Sequence, residues 1–234
     1  MFGIKRKNNL IVIASLALLG AILVGFVSYN SSKSLSFKTG NSQINFACKP
    51  NEFSEIYSLS EKIAIFEKKE VNVPAIAFSK TSTTILGTSN DERWIEVDIS
   101  EQKLKAWEGS SLFLETSVST GLPWWPTPTG EFRVGYKVRA TKMEGGEGRY
   151  YYYLPNVPYV MFFGNNTLSW SRGYGLHGTY WHSDFGTRRS HGCVNLPTPV
   201  AERLYYWTGP VMPEGKGVVR ADASNLGTKI VIHD

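Results

Sequence analysis

The chain is poor in the residues that would commit it to several common designs. It has two cysteines, Cys48 and Cys193, in 234 residues, which excludes a disulfide-dense scaffold. A permanent Cys48–Cys193 bridge would also consume the only thiol in the C-terminal half. There are four histidines and no His-x-His pair of the kind many zinc sites use. No block interleaves Arg/Lys with aromatics, so the net charge of +5 and pI near 9.1 do not indicate a nucleic-acid surface; anionic lipid or an acidic polymer remain as partners for a basic protein. Internal repeats and low-complexity tracts are absent. Long apolar runs are absent too, with one exception at the N-terminus.

That exception is Leu10–Val27, 18 uncharged residues behind Lys5-Arg6-Lys7. As a helix it would be roughly 27 Å long, near the thickness of a bilayer's hydrocarbon core. The flanking charge orients the N-terminus towards the cytoplasm, and the polar sequence after Val27 does not resemble a signal-peptidase site. Residues 1–9 are therefore read as a cytoplasmic basic tail and 10–28 as a single uncleaved transmembrane helix. The rest of the chain lies outside a bacterial cytoplasmic membrane. Residues 29–90 read as a tether. Within it, Ile56, Leu59, Ile63 and Phe66 fall at helical spacing and predict a short amphipathic helix over 54–69, with more spacer over 70–91.

From residue 91 the texture becomes that of strands. Apolar residues alternate over Trp94–Ile99, Lys103–Trp107, Leu112–Val118 and Phe132–Val138, and further strands are expected at Tyr159–Phe163 and Lys229–Ile232. Gly109, Gly121-Leu122-Pro123 and Pro126-Thr127-Pro128-Thr129-Gly130 mark turns. A short helix is predicted at Pro199–Trp207 with Thr198 as N-cap and Gly209 beyond its end. The expected fold of 91–234 is mainly β, a sandwich or partly open barrel with one or two short helices.

The chemistry concentrates in Ser190-His191-Gly192-Cys193-Val194-Asn195, with His177-Gly178 thirteen positions before Ser190. A thiol near two imidazoles can perform nucleophilic acyl transfer: the thiolate attacks and an imidazole moves the proton. His177, arriving from a separate strand or loop, is the better general base than His191, which is only two residues from Cys193. The Gly178 carbonyl can fix the His177 tautomer. The backbone N–H groups of Gly192 and Cys193 can converge on an oxyanion, with His191 and Ser190 beside them. Arg188 and Arg189 are candidates to receive a substrate carboxylate, against the plainer reading of a solvated basic loop. Trp124, Trp125, Tyr159, Trp170, Tyr180 and Trp181 are candidate groove walls.

The run from His177 to Asn195, HGTYWHSDFGTRRSHGCVN, resembles the motif of the L,D-transpeptidase catalytic-domain (YkuD-type) family: a His, a gap, then Ser/Thr-His-Gly-Cys, a hydrophobic residue and Asn or Arg. WIEVDISEQKLKAWEG at 94–109 and VSTGLPWWPTPTGEF at 118–132 are similar to that family's opening strands and Thr-Pro-Thr-Gly segment. The resemblance implies an L,D-transpeptidase-like fold over 91–234 and a cell-wall enzyme whose donor and acceptor are peptidoglycan stem peptides. It implies Cys193 as nucleophile, His177 as proton donor/acceptor and His191 as helper. Gly192, Gly178 and Ser190 would orient the oxyanion site. Tyr159, Trp181, Arg188, Arg189 and Asn195 would stand on the substrate side. Neither metal nor cofactor is called for, and acylation by carbapenems is expected. A zinc peptidase is the main rival, because His177-x6-Asp184 has a zinc-site spacing and His182 is nearby. A sortase lacks its Thr-Cys segment here, and a non-catalytic wall-binding module would not need Cys193.

Overall fold

The computed structural model describes residue 55, residues 57–75 and residues 92–234. The basic tail, the expected membrane helix, Cys48 and most of the tether lie outside the described residues. No helix among the described residues is long and apolar enough to cross a membrane.

Among the described residues eleven strands form one open sheet. In chain order they are β1 Ile63–Phe66, β2 Lys69–Asn72, β3 Arg93–Asp98, β4 Lys103–Glu108, β5 Ser111–Ser117, β6 Gly130–Gly145, β7 Tyr152–Gly164, β8 Gly175–Thr179, β9 Val194–Pro197, β10 Val218–Arg220 and β11 Lys229–His233. The main path runs β2-β1-β7-β6-β11-β3-β4-β5; β10 joins β6, β8 joins β7, and β9 joins β8. β11–β3 and β8–β9 are parallel and the other pairs antiparallel. The mainly β expectation holds, and a single sheet with free edges stands in place of a two-sheet sandwich.

Period-2 alternation along β7, and along β6 with a change of phase at the bulge between Val134 and Tyr136, explains how one sheet supports two cores. Val134, Tyr159, Met161 and Phe163 point into a cluster shared with β3, β4, β11 and α1 Thr198–Trp207, the one α-helix among the described residues. Tyr136, Val138, Val160 and Phe162 point the other way, towards Ala64, Phe66, Met143, Leu154 and Trp181. Because both faces are covered, the middle of these strands lacks the polar/apolar rhythm of a half-exposed strand, and both run well beyond the expected 132–138 and 159–163.

α1 buries Ala201, Leu204, Tyr205 and Trp207. Its N-cap is Pro197, not Thr198. Thr198 is the first helical residue, and its hydroxyl donates to Thr179 O at 3.3 Å, tying the helix start to the end of β8. At the other end the fully buried Lys137 Nζ donates to Tyr205 O, and to Thr208 O at 2.8 Å, which satisfies carbonyls at the helix end; burial lowers this amine to about 7.

The helix expected over 54–69 is not formed. Residues 63–72 are a β-hairpin whose two-residue turn, Glu67-Lys68, has φ of +50° and +65°. Positive φ at both central positions matches the right-handed twist of the flanking strands. The spacing of Ile63 and Phe66 fits either periodicity; burial of Ala64 and Phe66 against exposed Ile63 shows period 2. β1 pairs with the start of β7, Ile65 opposite Tyr153 and Phe66 opposite Tyr152. On the same edge β8 takes Met161 and Phe162. Between them stand Pro155 and Pro158, which have no N–H to donate, and the sheet divides around this interval.

Candidate active site

Three segments build the site. β8 carries His177 and lies parallel to β9, with Leu176 opposite Val194 and His177 opposite Asn195. Leu176 and Val194 point into the core. Strand alternation therefore sends His177, Cys193 and Asn195 to the other face. There they line one cleft, together with Arg189, Ser190 and His191. Phe66, Met143, Tyr152, Leu154 and Trp181 supply its largely apolar lining.

The third segment clasps the loop that precedes β9. Ser119 and Asn195 exchange backbone hydrogen bonds (3.0 and 2.9 Å), Arg189 N and Ser190 N donate to Thr120 O, and Leu122 N donates to Ser190 O. The buried Thr127 hydroxyl accepts from Gly121 N and donates to Gly192 O, both at 2.9 Å. Gly121 has no room for a side chain: a Cβ would sit 2.1 Å from Trp125 O. Gly192 has φ of +114°, which L side chains rarely adopt, and a Cβ there would stand 2.6 Å from the Tyr174 ring. Ser190 Oγ donates to Cys193 O (2.5 Å) and accepts from Gly192 N (3.1 Å). The two stretches most distinctive in sequence, 118–132 and 190–195, are thus one interlocked unit.

Cys193 is a free, buried thiol. Its Sγ lies 3.5 Å from Gly173 O. Burial pushes the thiol up to about 11, while a hydrogen bond from the Gly175 backbone acts in the opposite direction. His177 is almost fully buried, and its Nδ1 lies 3.1 Å from Gly178 O. A carbonyl only accepts, so Nδ1 carries the proton and Nε2 keeps its lone pair. Desolvation lowers His177 to about 4. At neutral pH the resting pair is therefore neutral thiol and neutral imidazole. His191 stacks on Trp125 (centroids 4.1 Å apart) and leans on Tyr152. Its Nε2 is buried without a hydrogen-bond partner, and burial lowers the ring to about 4. His182 is likewise lowered to about 4 by burial, and lies 2.9 Å through Nε2 from the Asn195 side-chain amide.

Several expected site residues are placed elsewhere. Tyr159 is in the core on the α1 side, 2% exposed, with its hydroxyl donating to Glu202 at 2.7 Å; it does not face the cleft. Arg188 pairs with Asp234 at 3.6 Å and does not line the cleft either. Arg189 does, but it is occupied: its Nε donates to Asp184 Oδ2 at 2.9 Å, its Nη2 meets the same oxygen, and Nη1 lies 3.4 Å from Glu67. Two carboxylates on one guanidinium leave it poorly disposed towards a substrate carboxylate. The Gly192 N–H is bound to Ser190 Oγ, which removes it from the expected oxyanion pair. Of the candidate aromatics, Trp181 lines the cleft and Trp125 backs His191. Tyr180 donates to Pro155 O, and Trp170 stacks on Tyr136. Thr127, Phe66 and the Gly173–Gly175 turn were not named as site residues from sequence. Thr127 lay within the Thr-Pro-Thr-Gly segment; Phe66 and the glycines carry no signal of their own. Among the described residues no three His, Cys, Asp or Glu side chains are grouped to hold a metal ion.

An open, mainly β sheet with a tautomer-fixed imidazole on one strand and a thiol just before the adjoining parallel strand defines a class of domain equipped for acyl transfer. The chain belongs to the L,D-transpeptidase catalytic domain family, whose model matches residues 92–232. Among solved structures it is similar to an L,D-transpeptidase from Mycobacterium smegmatis: 22% identity, 61% of this chain and 59% of that one, TM-score 0.47. An L,D-transpeptidase from Enterococcus faecium is 26% identical over 61% of this chain and 50% of its own, TM-score 0.45. The isolated catalytic domain from E. faecium is 26% identical and is covered completely by 63% of this chain, TM-score 0.43. The chain thus spans between half and three-fifths of the first two structures. No curated protein sequence resembles it closely enough to count as a match.

Proposed function

We propose that the protein is a cysteine L,D-transpeptidase of peptidoglycan, acting on tetrapeptide stems and forming 3→3 crosslinks at the outer side of the cytoplasmic membrane. The carrying observation is that Cys193 and His177 line one cleft, with the His177 Nδ1–H committed to Gly178 O so that Nε2 is the available base. Family membership supplies the substrate.

As Sγ attacks the carbonyl carbon between the third and fourth stem residues, its proton passes to His177 Nε2 and the carbonyl π electrons move to oxygen. The Cys193 N–H is the donor assigned to that oxyanion. Collapse breaks the C–N bond, D-alanine leaves with the proton from His177, and a thioester remains. The amine of a second stem attacks the thioester and gives its proton to His177. The thiolate departs and is reprotonated from the same nitrogen. His191, wedged between Trp125 and Tyr152, acts by shaping the loop that carries Cys193. Water as acceptor would make the enzyme an L,D-carboxypeptidase, and a protein amine would make it an attachment enzyme. The thiol is also the group a carbapenem would acylate.

The test is incubation of the full chain with a disaccharide-tetrapeptide and mass analysis of the products. Crosslinked dimer with free D-alanine is expected; disaccharide-tripeptide with free D-alanine indicates the carboxypeptidase, and unchanged substrate contradicts acyl transfer on stems.

A further inference from the structure

The hairpin β1–β2 lies outside the segment matched by the family model, yet it reaches the catalytic cleft. Residues 55–67 are fastened to the domain at successive points. Glu55 pairs with Arg139 at 2.8 Å. The buried Asn156 side chain grips the backbone of Ser58 from both sides, accepting from its N–H at 2.9 Å and donating to its carbonyl at 2.8 Å. Tyr153 donates to Glu61 at 3.1 Å. Ile65 and Phe66 are laddered to β7, and Glu67 stands 3.4 Å from Arg189. A flexible tether would leave no such series of partners.

The segment ends in strain. Glu67 and Lys68 both hold positive φ without a glycine or asparagine to ease it, and such residues persist where surrounding contacts over-determine them, often beside functional sites. The turn so held presents the Phe66 ring to the cleft. The ring lies 6.4 Å from that of Trp181 and 5.8 Å from that of His182, while His182 adjoins Asn195. An aromatic face beside a thiol and an imidazole suits the methylene stem of an amino-acid side chain, and not a charged terminus.

We propose that residues 55–72 are a fixed wall of the active site, and that Phe66 is a specificity-determining residue contacting an aliphatic side chain of the peptide next to the scissile bond. The proposal rests on the stem-peptide reading above, and its test separates the two. Cys193 of the full chain is alkylated with iodoacetamide with and without the disaccharide-tetrapeptide, in wild type, Phe66→Ala and Phe66→Leu. Protection requires binding but not turnover. The peptide is expected to slow alkylation of the wild type. The concentration giving half-protection should rise about tenfold in Phe66→Ala and about threefold in Phe66→Leu, which keeps the strand position apolar. Alkylation without peptide should be no slower in either variant. If Phe66→Ala fails to fold, the leucine variant decides. Unchanged half-protection in a folded variant, or no protection of the wild type, overturns the proposal. Protection without any product leaves the wall in place and overturns the acyl-transfer reading instead.

Discussion

At the scale of single residues, burial sets the protonation states of the site. His177 is held near 4 and Cys193 near 11, so neither is charged in the resting cleft, and thiolate and imidazolium form together as the peptide is attacked. The rate of Cys193 alkylation in the free protein should therefore still be climbing at pH 9 to 10. A plateau reached below pH 8 would mean a preformed thiolate. The same burial couples the site to stability. Above about pH 6.5 the His177 ring is neutral in folded and unfolded chains. As pH falls from 6.5 towards 4, the unfolded chain takes up a proton that the buried ring refuses, and stability is lost, on the order of 3 kcal/mol for this group. His182 and His191 are lowered in the same direction and add to the slope. Urea midpoints measured from pH 7 to pH 4.5 should fall, and His177→Gln should shallow the fall by about one proton.

At the scale of elements, the clasp between residues 119–127 and 189–195 positions Cys193. Thr127→Val removes the hydroxyl that joins Gly121 N to Gly192 O and strands two buried polar groups. A loss of about 2–4 kcal/mol in stability is expected, with kcat lowered more than KM is raised when turnover of the tetrapeptide is followed. Lys137→Ala empties a fully buried position and releases the carbonyls at the end of α1. It should cost about 3 kcal/mol by denaturant titration. These elements were unevenly legible. β3, β4, β5 and β11 were readable because each alternates against a single core. The His…Ser-His-Gly-Cys spacing was readable because the chemistry restricts the residue types. The full extent of β6 and β7 was hidden by burial on both faces. The β1–β2 hairpin was hidden because the three- and four-residue spacing of Ile56, Leu59, Ile63 and Phe66 fits a helix until the positive φ of Glu67 and Lys68 is seen. Tyr159 and Arg188 were misplaced for a related reason: their chemistry suits a substrate site, but strand phase and a distant Asp234 decide where they point.

At the scale of the molecule, the folded unit does not begin where the family motif begins. Ala64 and Phe66 complete the second core with Met143, Leu154 and Trp181, so a fragment starting at residue 91 would expose these side chains to water. Residues 55–234 should melt several degrees higher than residues 91–234 by calorimetry, and the shorter fragment should be the more prone to aggregate. Equal melting temperatures would show that the hairpin contributes nothing to the fold. The central claim, acyl transfer through Cys193, is tested most directly by the intact mass of the full chain after brief exposure to disaccharide-tetrapeptide. The account predicts an adduct equal to the donor less D-alanine, labile to hydroxylamine as a thioester is, and absent from Cys193→Ala. An adduct that survives in Cys193→Ala, or D-alanine released as fast by that variant as by wild type, would contradict it.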